Sequence, residues 1–215
     1  TQEASWALLA AHALVEDPNA NGFTVNGEVN SGPLIRRYAS GAAPLRFTNT
    51  SGAALDITLS TFGIPEVAPQ EGGYGYKITR EYFTLEGVPV TDLSLRTGDR
   101  LVAVLTVIPF EDGESRLMVN DPLPAGLEID NPNLIRGGDI RALEWLKPAR
   151  AEHSEFRSDR FLAAVDARGS NPFRLAYIVR AVSAGTYHHP AASVEDMYRP
   201  QYRARSATGQ MTVTE

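Results

Sequence analysis

A chain of 215 residues can form one large domain or two small ones, and its 43% hydrophobic and 21% charged residues are typical of a folded globular protein. The net charge of -6 leaves no basic field for a phosphate backbone, which argues against nucleic acid as a partner. The absence of cysteine excludes disulfides, thiolate zinc sites and a cysteine nucleophile within these residues.

The first predicted element is a helix over residues 1–16. Ala4, Leu8, Ala11 and Val15 recur at three- and four-residue spacing, and most of the other positions are apolar too. A helix that is apolar nearly all round is normally buried on several sides. The β-patterned sequence that follows offers too little to bury it, so we expect that the chain is cut from a longer protein and that the neighbours of the helix lie upstream. The apolar run is also too short to span a membrane.

Residues 19–65 predict a small β-domain. Asn26-Gly27 is a strong hairpin signal, because both positions of the favoured two-residue turn need a positive φ. The candidate strands of this segment lie at residues 23–25, 28–29, 34–38, 45–48 and 55–62. They make only about half of a sandwich, which usually needs about seven strands, so their partner strands are also expected upstream.

Residues 63–75 predict a domain boundary, since this stretch is rich in glycine and proline and has no hydrophobic period. Gly72-Gly73-Tyr74-Gly75 could suggest a phosphate-binding loop. However, no Lys-Ser or Lys-Thr pair and no apolar helix follow it. We therefore interpret these residues as part of a flexible linker.

Residues 66–215 predict a larger antiparallel β-sandwich. The clearest strand covers residues 100–108, and because both of its faces are apolar we expect it to be central and buried on both sides. Pro122 and Pro124 predict an extended crossover at a corner of the sandwich. The other candidate strands lie at residues 76–83, 116–119, 160–165, 173–182 and 210–213. An insertion near residues 138–150 has a weak helical pattern at residues 140–146.

The predicted fold class is therefore mainly β: an antiparallel β-sandwich of macroglobulin or Ig-like type, preceded by a partial β-domain and one N-terminal helix. In the strand at residues 173–182, alternate residues such as Leu175 and Tyr177 share one face. This strand leads into a segment, residues 187–198, that we predict to be a loop rich in Tyr, His, Pro and Met. Residue types alone favour core filling at the end of the sandwich for Tyr187, Pro190, Met197 and Tyr198.

The search for catalytic and ligand-binding motifs gives little. His188 and His189 are adjacent, and neighbouring residues of an extended chain point to opposite faces, so we expect one ring packed, the other solvated and no metal site. No Gly-x-Ser-x-Gly elbow is present, and residues 111–114 (Glu-Asp-Gly-Glu) lack the ligand spacing of a calcium loop. We expect no cofactor and no enzymatic activity, and we interpret the chain as a binding or scaffold piece.

Longer strings point to a family. Residues 121–134 (DPLPAGLEIDNPNL), residues 156–166 (FRSDRFLAAVD) and above all residues 175–213 (LAYIVRAVSAGTYHHPAASVEDMYRPQYRARSATGQMTV) resemble the last domain of bacterial α2-macroglobulin family proteins. The likeness runs from about residue 74 to the end. Residues 1–18 look like the last helix of the α/α thioester domain of that family. Residues 19–65 look like the returning half of its CUB-type β-domain, and residues 66–215 like its C-terminal macroglobulin-like domain.

The resemblance implies a large periplasmic protease trap, with the parent protein anchored to the inner membrane as a lipoprotein. In that family a bait region is cut, the protein changes shape, and an internal Cys-Gln thioester captures the protease. The Cys-x-Glu-Gln motif is absent here and would lie upstream, so no inhibition is expected from this chain alone. The implied partners are the thioester domain of the same parent chain and, through the parent, target proteases.

The family resemblance also implies a site. A loop of the last domain helps to shield the thioester from water, and by position the matching loop here is residues 187–198. Its candidate residues are Tyr187, His188, Pro190, Met197 and Tyr198, with Tyr187, Met197 and Tyr198 as the covering side chains.

A competing resemblance comes from residues 120–127 (NDPLPAGL), which are similar to the Asp-x-Leu-Pro-x-Gly corner of Ig-like bacterial adhesins and surface stalks. That alternative implies a module that bears load or binds a ligand. Such domains occur as tandem copies, whereas the two β-segments of this chain do not resemble each other.

Overall fold

The structure is a computed structural model. It describes residues 2–14, 22–29, 37–39, 41, 43–52, 54–55, 57, 60, 62–63, 66–130, 146 and 149–215. The chain divides into two compact units, Thr1–Ile64 and Pro65–Glu215.

The described residues form one helix, α1 (Gln2–Leu14), and seventeen strands. In chain order the strands are β1 (Phe23–Val25), β2 (Glu28–Val29), β3 (Phe47–Asn49), β4 (Gly72–Tyr74), β5 (Tyr76–Thr84), β6 (Pro89–Val90), β7 (Ser94–Arg96), β8 (Arg100–Pro109), β9 (Glu114–Pro122), β10 (Leu127–Ile129), β11 (His153–Phe156), β12 (Arg160–Arg168), β13 (Phe173–Ala181), β14 (Gly185–His189), β15 (Ser193–Asp196), β16 (Arg203–Arg205) and β17 (Gly209–Thr214).

The first unit contains the predicted helix and hairpin. Trp6 and Leu8 of α1 are 71% and 72% exposed, so large apolar side chains of this helix face solvent. Asn26 and Gly27 join β1 to β2 with φ angles of 53° and 87°, the positive values that the tight hairpin turn requires. Strand β3 pairs with the other edge of β1, and Val25 of β1 is buried. The predicted strands at residues 34–38 and 55–62 fall largely outside the described residues.

The second unit is the predicted β-sandwich. A five-stranded antiparallel sheet has the order β10-β13-β8-β5-β6, and a six-stranded one has the order β11-β12-β9-β15-β16-β4. A small third sheet, β14-β17-β7, contains a parallel pair, β17 with β7. Side chains from all three sheets form one core, in which the largest fully buried members include Tyr177, Leu105, Leu117 and Met211. Burial of each such side chain is worth roughly 1.5–3 kcal/mol relative to exposure.

Strand β8 confirms the prediction for residues 100–108. It lies in the middle of the five-stranded sheet, between β13 and β5. Leu105 on one face joins the main core, whereas Val102 and Val104 on the other join a second buried cluster with Phe83 and Ile178. Both faces of the strand are therefore covered, which explains why its sequence is apolar without alternation.

The corner between Pro122 and Gly126 is also as predicted, because it carries the chain from β9 in one sheet to β10 in the other. The extended backbone that the prolines impose suits such a crossover. Beyond β10, the predicted helical insertion at residues 138–150 lies outside the described residues apart from Leu146, Ala149 and Arg150.

The prediction of a flexible linker through residue 75 was wrong for its last part. Residues Gly72–Tyr74 form β4, the edge strand of the six-stranded sheet, paired with β16. A Cβ on Gly73 would lie 2.4 Å from the Cβ of Ala204 and 2.6 Å from the carbonyl oxygen of Tyr76. Glycine at residue 73 is thus a packing requirement, and the pattern resembles a linker because no larger side chain fits there.

Candidate functional site

The segment at residues 187–198 is two strands rather than the predicted loop. Strand β14 pairs with β17, and after a link of three residues β15 inserts between β9 and β16 in the six-stranded sheet. The prediction failed because these strands are short, contain two histidines, and place the carboxylate of Asp196 at a buried position. The exposed turn comes later, from Met197 to Gln201.

Tyr187 is half-buried and supports the core. A Cβ on Gly126 would lie only 2.4 Å from its Cε2 atom, so the ring rests directly on the corner between the sheets. Its hydroxyl donates to the carbonyl oxygens of Ser183 and Ala184, each at 3.1 Å. The core-filling interpretation from residue types therefore describes Tyr187 better than the covering role.

His188 and His189 point in opposite directions, as expected. His188 is exposed, whereas His189 is 7% exposed. The Nδ1 atom of His189 lies 3.1 Å from Nη2 of Arg80, and its Nε2 atom lies 2.8 Å from the hydroxyl of Tyr82. Because arginine can only donate, Nδ1 must accept, which assigns the ring proton to Nε2 and makes it the donor to Tyr82.

Arg80 is the centre of this buried network. It forms an ion pair with Asp121, and its Nη2 atom also donates to the carbonyl oxygen of Pro190 at 2.6 Å. Tyr177 donates to the other carboxylate oxygen of Asp121 at 2.6 Å. Asp121 is fully buried and the Arg80 side chain is 3% exposed, so the pair compensates two charges that would otherwise be costly in the core. The network fixes the link between β14 and β15.

The charges of the network also determine its protonation. Burial and the nearby Arg80 guanidinium lower the pKa of His189 to about 3, so the ring stays neutral. Burial raises the pKa of Tyr82 and of Tyr177, which therefore remain protonated. Burial also raises the pKa of Asp121, although the Arg80 charge and the hydrogen bonds from Tyr177 and Arg80 oppose that shift.

Met197 and Tyr198, called the tip below, are exposed. Met197 is 56% and Tyr198 74% exposed. The tip directly follows β15, and the Met197 backbone N–H donates to the carbonyl oxygen of Arg116 at 2.8 Å, which ties it to the start of β9. Two large side chains are thus held in solvent by an ordered backbone.

Asp196 holds the turn at the tip. Its Oδ1 atom accepts hydrogen bonds from the backbone N–H groups of Tyr198 and Arg199 at 2.9 and 3.2 Å. Its Oδ2 atom accepts one from Nε of Arg199 at 2.8 Å and lies 2.8 Å from Nη2 of the same guanidinium in an ion pair. The Arg199 guanidinium lies 4.6 Å from the ring centroid of Tyr202, which is itself 4.9 Å from that of Tyr74 in β4. Asp196, Arg199, Tyr202 and Tyr74 form what we call the clamp.

The structure separates the predicted site residues into two groups. Tyr187 packs at Gly126, beyond the end of β9, whereas the tip is bonded to Arg116 near its start. Pro122 lies six positions after Arg116 on this extended strand, a span of roughly 20 Å. Tyr187 and the tip therefore do not form one continuous surface.

A groove of about 300 Å³ lies beside Tyr198. Its walls carry charged pairs: Arg116 with Asp166 at 3.6 Å, and Arg168 with Glu114 at 3.5 Å. The tip therefore projects next to a polar surface of balanced charge.

Among the described residues, no three His, Cys, Asp or Glu side chains are grouped closely enough to hold a metal ion. Nor does any helix in the described part of the chain have the length and apolar character to cross a membrane.

Comparison with known proteins identifies the domain. Residues 75–201, well over half of the chain, match the family model for the bacterial alpha-2-macroglobulin MG10 domain. The chain belongs to the bacterial α2-macroglobulin family. The Asp-x-Leu-Pro-x-Gly corner lies within the matched region, so this finding favours the α2-macroglobulin interpretation over the adhesin one.

Curated bacterial α2-macroglobulins match nearly the whole chain. The protein of Xylella fastidiosa strain 9a5c is 34% identical over an alignment of 198 positions, gaps included, that covers 87% of this chain and 12% of that protein. The protein of Escherichia coli K12 is 32% identical over an alignment of 235 positions, gaps included, that covers 99% of this chain and 14% of that protein. The chain thus spans about an eighth of the length of these relatives.

Solved α2-macroglobulin structures share the fold. Salmonella α2-macroglobulin reacted with methylamine has a TM-score of 0.77 at 33% identity, over 96% of this chain and 14% of that one. Escherichia coli α2-macroglobulin activated by porcine elastase has a TM-score of 0.62 at 38% identity, over 71% of this chain and 14% of that one. The macroglobulin-type β-sandwich predicted as the fold class is therefore confirmed.

Sequence reasoning did not predict the Arg80 network. A signal was present in β9, where Leu117, Val119 and Asp121 alternate toward the core and the third of them is a carboxylate. A charged residue in an otherwise apolar set demands a buried partner. Which residue supplies it depends on the pairing of distant strands, because Arg80 lies 41 positions away.

Proposed function

We propose that the chain is the C-terminal part of a periplasmic protease trap and that the tip shields a thioester. In the complete protein a protease would cut a bait region, and the resulting change of shape would uncover an internal thioester that captures the protease. The observation that carries the shielding role is the exposure of Met197 and Tyr198, at 56% and 74%, on a turn fixed by Asp196.

The chemistry of the bond explains the need for such a tip. A thioester survives only where water and amines are excluded, and large side chains on a fixed turn exclude them with little entropy left to lose. Apolar surface that is ordered and exposed in one domain is also suited to contact with another. The tip would therefore lie against the thioester domain of the same protein.

The behaviour of relatives supports the proposal. A Salmonella α2-macroglobulin has been studied after reaction with methylamine, and the Escherichia coli protein after activation by elastase and by trypsin. Sensitivity to a small amine is the expected property of a thioester. We extend both behaviours, amine sensitivity and activation by proteases, to the complete protein that contains this chain.

The other predicted site residues receive different roles. Tyr187 supports the corner from inside, and Pro190 supplies a carbonyl oxygen to Arg80. His188 lies on the exposed side of β14, paired with Gln210. None of these three is assigned to the covering surface, which we restrict to Met197 and Tyr198.

The remaining parts follow the family pattern. We assign residues 1–18 to the end of the thioester domain, residues 19–65 to the returning half of a CUB-type domain, and residues 66–215 to the last macroglobulin-like domain. The partners would be the thioester domain and, through the complete protein, target proteases. We propose no enzymatic role, a periplasmic location, and anchoring of the complete protein to the inner membrane as a lipoprotein.

The test measures methylamine uptake by the complete, uncleaved protein. Replacing both tip residues (Met197→Gly with Tyr198→Gly) should speed uptake by about tenfold or more, since a gap over the thioester lowers the barrier to attack. Val88→Gly is a matched control, because Val88 is 57% exposed, much as Met197 is, but lies in the turn between β5 and β6.

Two results would contradict the proposal. One is an unchanged rate of uptake in the double variant. The other is a wild-type protein that never takes up methylamine, even after cleavage by a protease.

A further inference from the structure

The turn that carries the tip is stabilised by one buried carboxylate and one exposed guanidinium. The side chain of Asp196 is 2% exposed and that of Arg199 43% exposed. The Asp196 carboxylate accepts three hydrogen bonds, two from the backbone of the turn and one from Nε of Arg199, and it forms an ion pair with the same guanidinium. Both oxygens of this carboxylate accept hydrogen bonds, and they fix the backbone of Tyr198 relative to β15.

Arg199 connects that turn to the rest of the six-stranded sheet. Its guanidinium bonds Asp196 on one side and lies over the Tyr202 ring on the other. Tyr202 in turn contacts Tyr74, and its backbone N–H donates to the carbonyl oxygen of Arg199 at 2.8 Å. Removing the Arg199 side chain would leave the backbone hydrogen bonds to Asp196 in place. It would remove the side-chain contact of Arg199 with Asp196 and its contact with the Tyr202 ring.

The guanidinium lies next to the tip without forming part of it. Arg199 follows Tyr198 directly and borders the same groove. Its hydrogen bond to Asp196 raises the pKa of Arg199, so its charge is permanent and does not depend on physiological pH. Its contribution to the tip is therefore one of geometry.

We propose that Arg199 is a positioning residue for the tip, acting through Asp196 and Tyr202 to hold Met197 and Tyr198 in the orientation that covers the thioester. This inference rests on the proposed function, since it explains how the covering surface keeps its shape. A turn that opens more often would expose the bond for a larger fraction of the time, although the fold around it stays intact.

The test again uses the complete, uncleaved protein. Arg199→Ala should raise the rate of methylamine uptake by about fivefold, because the turn then loses the side-chain contacts of Arg199 and keeps only the hydrogen bonds made by its backbone N–H and carbonyl groups. Arg199→Lys keeps a cation for Asp196 but loses the paired N–H donors and the flat contact with Tyr202, so its rate should lie between those of the wild type and the alanine variant.

Arg100→Ala is a matched control. Arg100 forms an ion pair with Asp130 at 2.6 Å and its side chain is 38% exposed, close to the 43% of Arg199. It lies in β8, in the other large sheet. We expect Arg100→Ala to take up methylamine at the wild-type rate. We also expect the thermal midpoints of Arg100→Ala and Arg199→Ala to be similar.

The outcomes separate this inference from the proposed function. If the double tip variant takes up methylamine faster and Arg199→Ala does not, the positioning role is wrong and the shielding role stands. If neither variant is faster, both are wrong. If Arg199→Ala is faster but its thermal midpoint falls well below that of Arg100→Ala, general loosening explains the rate and the positioning role is wrong.

Discussion

Two pairs of Asp and Arg lie in the same sandwich in opposite surroundings. Asp121 and Arg80 are both buried, with side chains 0% and 3% exposed, and two tyrosines and a histidine surround them. In the second pair Asp196 is 2% exposed but Arg199 is 43% exposed. The first pair fixes the link between β14 and β15 from inside the core. The second fixes a turn at the surface.

This difference in burial predicts that the first pair governs the stability of the fold and the second governs the geometry of the tip. When a buried pair loses one partner, the other charge remains in the core without compensation. When the clamp loses Arg199, Asp196 still accepts two backbone N–H groups, and water can reach the outside of the turn. Substitutions in the first pair should therefore lower the free energy of unfolding. Substitutions in the second pair should instead change the position of Met197 and Tyr198.

The largest effect is expected from Arg80→Ala. It leaves Asp121 buried with Tyr177 as its remaining side-chain partner, and it also removes donors from His189 and from the Pro190 carbonyl oxygen. The free energy of unfolding should fall by about 3–5 kcal/mol. Urea unfolding of the 215-residue chain, followed by circular dichroism, measures this. A loss no greater than that of Arg100→Ala would show that the buried pair is dispensable.

A second effect is a dependence on pH that belongs to His189. Its pKa is about 3 in the fold against an ordinary value of 6.5, so between these pH values the unfolded chain binds a proton that the folded chain does not. The stabilisation is complete above about pH 6.5 and is lost as the pH falls. The free energy of unfolding should fall by about 2 kcal/mol between pH 7 and pH 5 from this group.

The comparison of variants isolates that contribution from those of the carboxylates. His189→Gln supplies a neutral side chain that can still accept a hydrogen bond from Arg80. Between pH 7 and pH 5 the free energy of unfolding of this variant should fall by about 2 kcal/mol less than that of the wild type. His153→Gln, which replaces a histidine whose side chain is 70% exposed, is the matched surface substitution. Equal slopes in the wild type and His189→Gln would contradict the assignment.

The smallest of the three effects is expected from Tyr177→Phe. It keeps the ring, which stacks on Phe161 at a centroid distance of 4.6 Å, and removes only the donor to Asp121. The free energy of unfolding should fall by about 1.5 kcal/mol, as for one hydrogen bond to a charged group. A loss as large as that of Arg80→Ala would mean that Tyr177, rather than Arg80, is the main partner of the carboxylate.

The regular strands could be predicted because their hydrophobic pattern is local. Strand β8 and strand β13 are long and apolar enough to be recognised without any knowledge of their neighbours. The Asn26-Gly27 hairpin was also predictable, since its turn depends on two residues only. Strands β4 and β14 were missed because glycine and histidine hide a short period-two pattern. Strand β15 was missed because it is short and one of its two buried positions is the carboxylate Asp196.

The site was predictable only in part, for a related reason. The family motif placed Tyr187 and Tyr198 together because they are close in sequence. Their separation depends on β14 and β15 belonging to different sheets, which residue types alone do not determine. The clamp was missed because its residues come together only through the pairing of strands distant in sequence. Tyr74 contacts Tyr202 because β4 pairs with β16.

The edge position of β4 determines where this domain can be cut for expression. The family match covers residues 75–201, so cutting at those limits would remove β4, β16 and β17. Met211 and Val213 of β17 are 1% and 2% exposed, and their loss would open the core beneath Tyr187. It would also leave β14 and β15 with unpaired backbone edges, which promote aggregation. A recombinant domain should therefore begin before Gly72 and continue at least to Thr214.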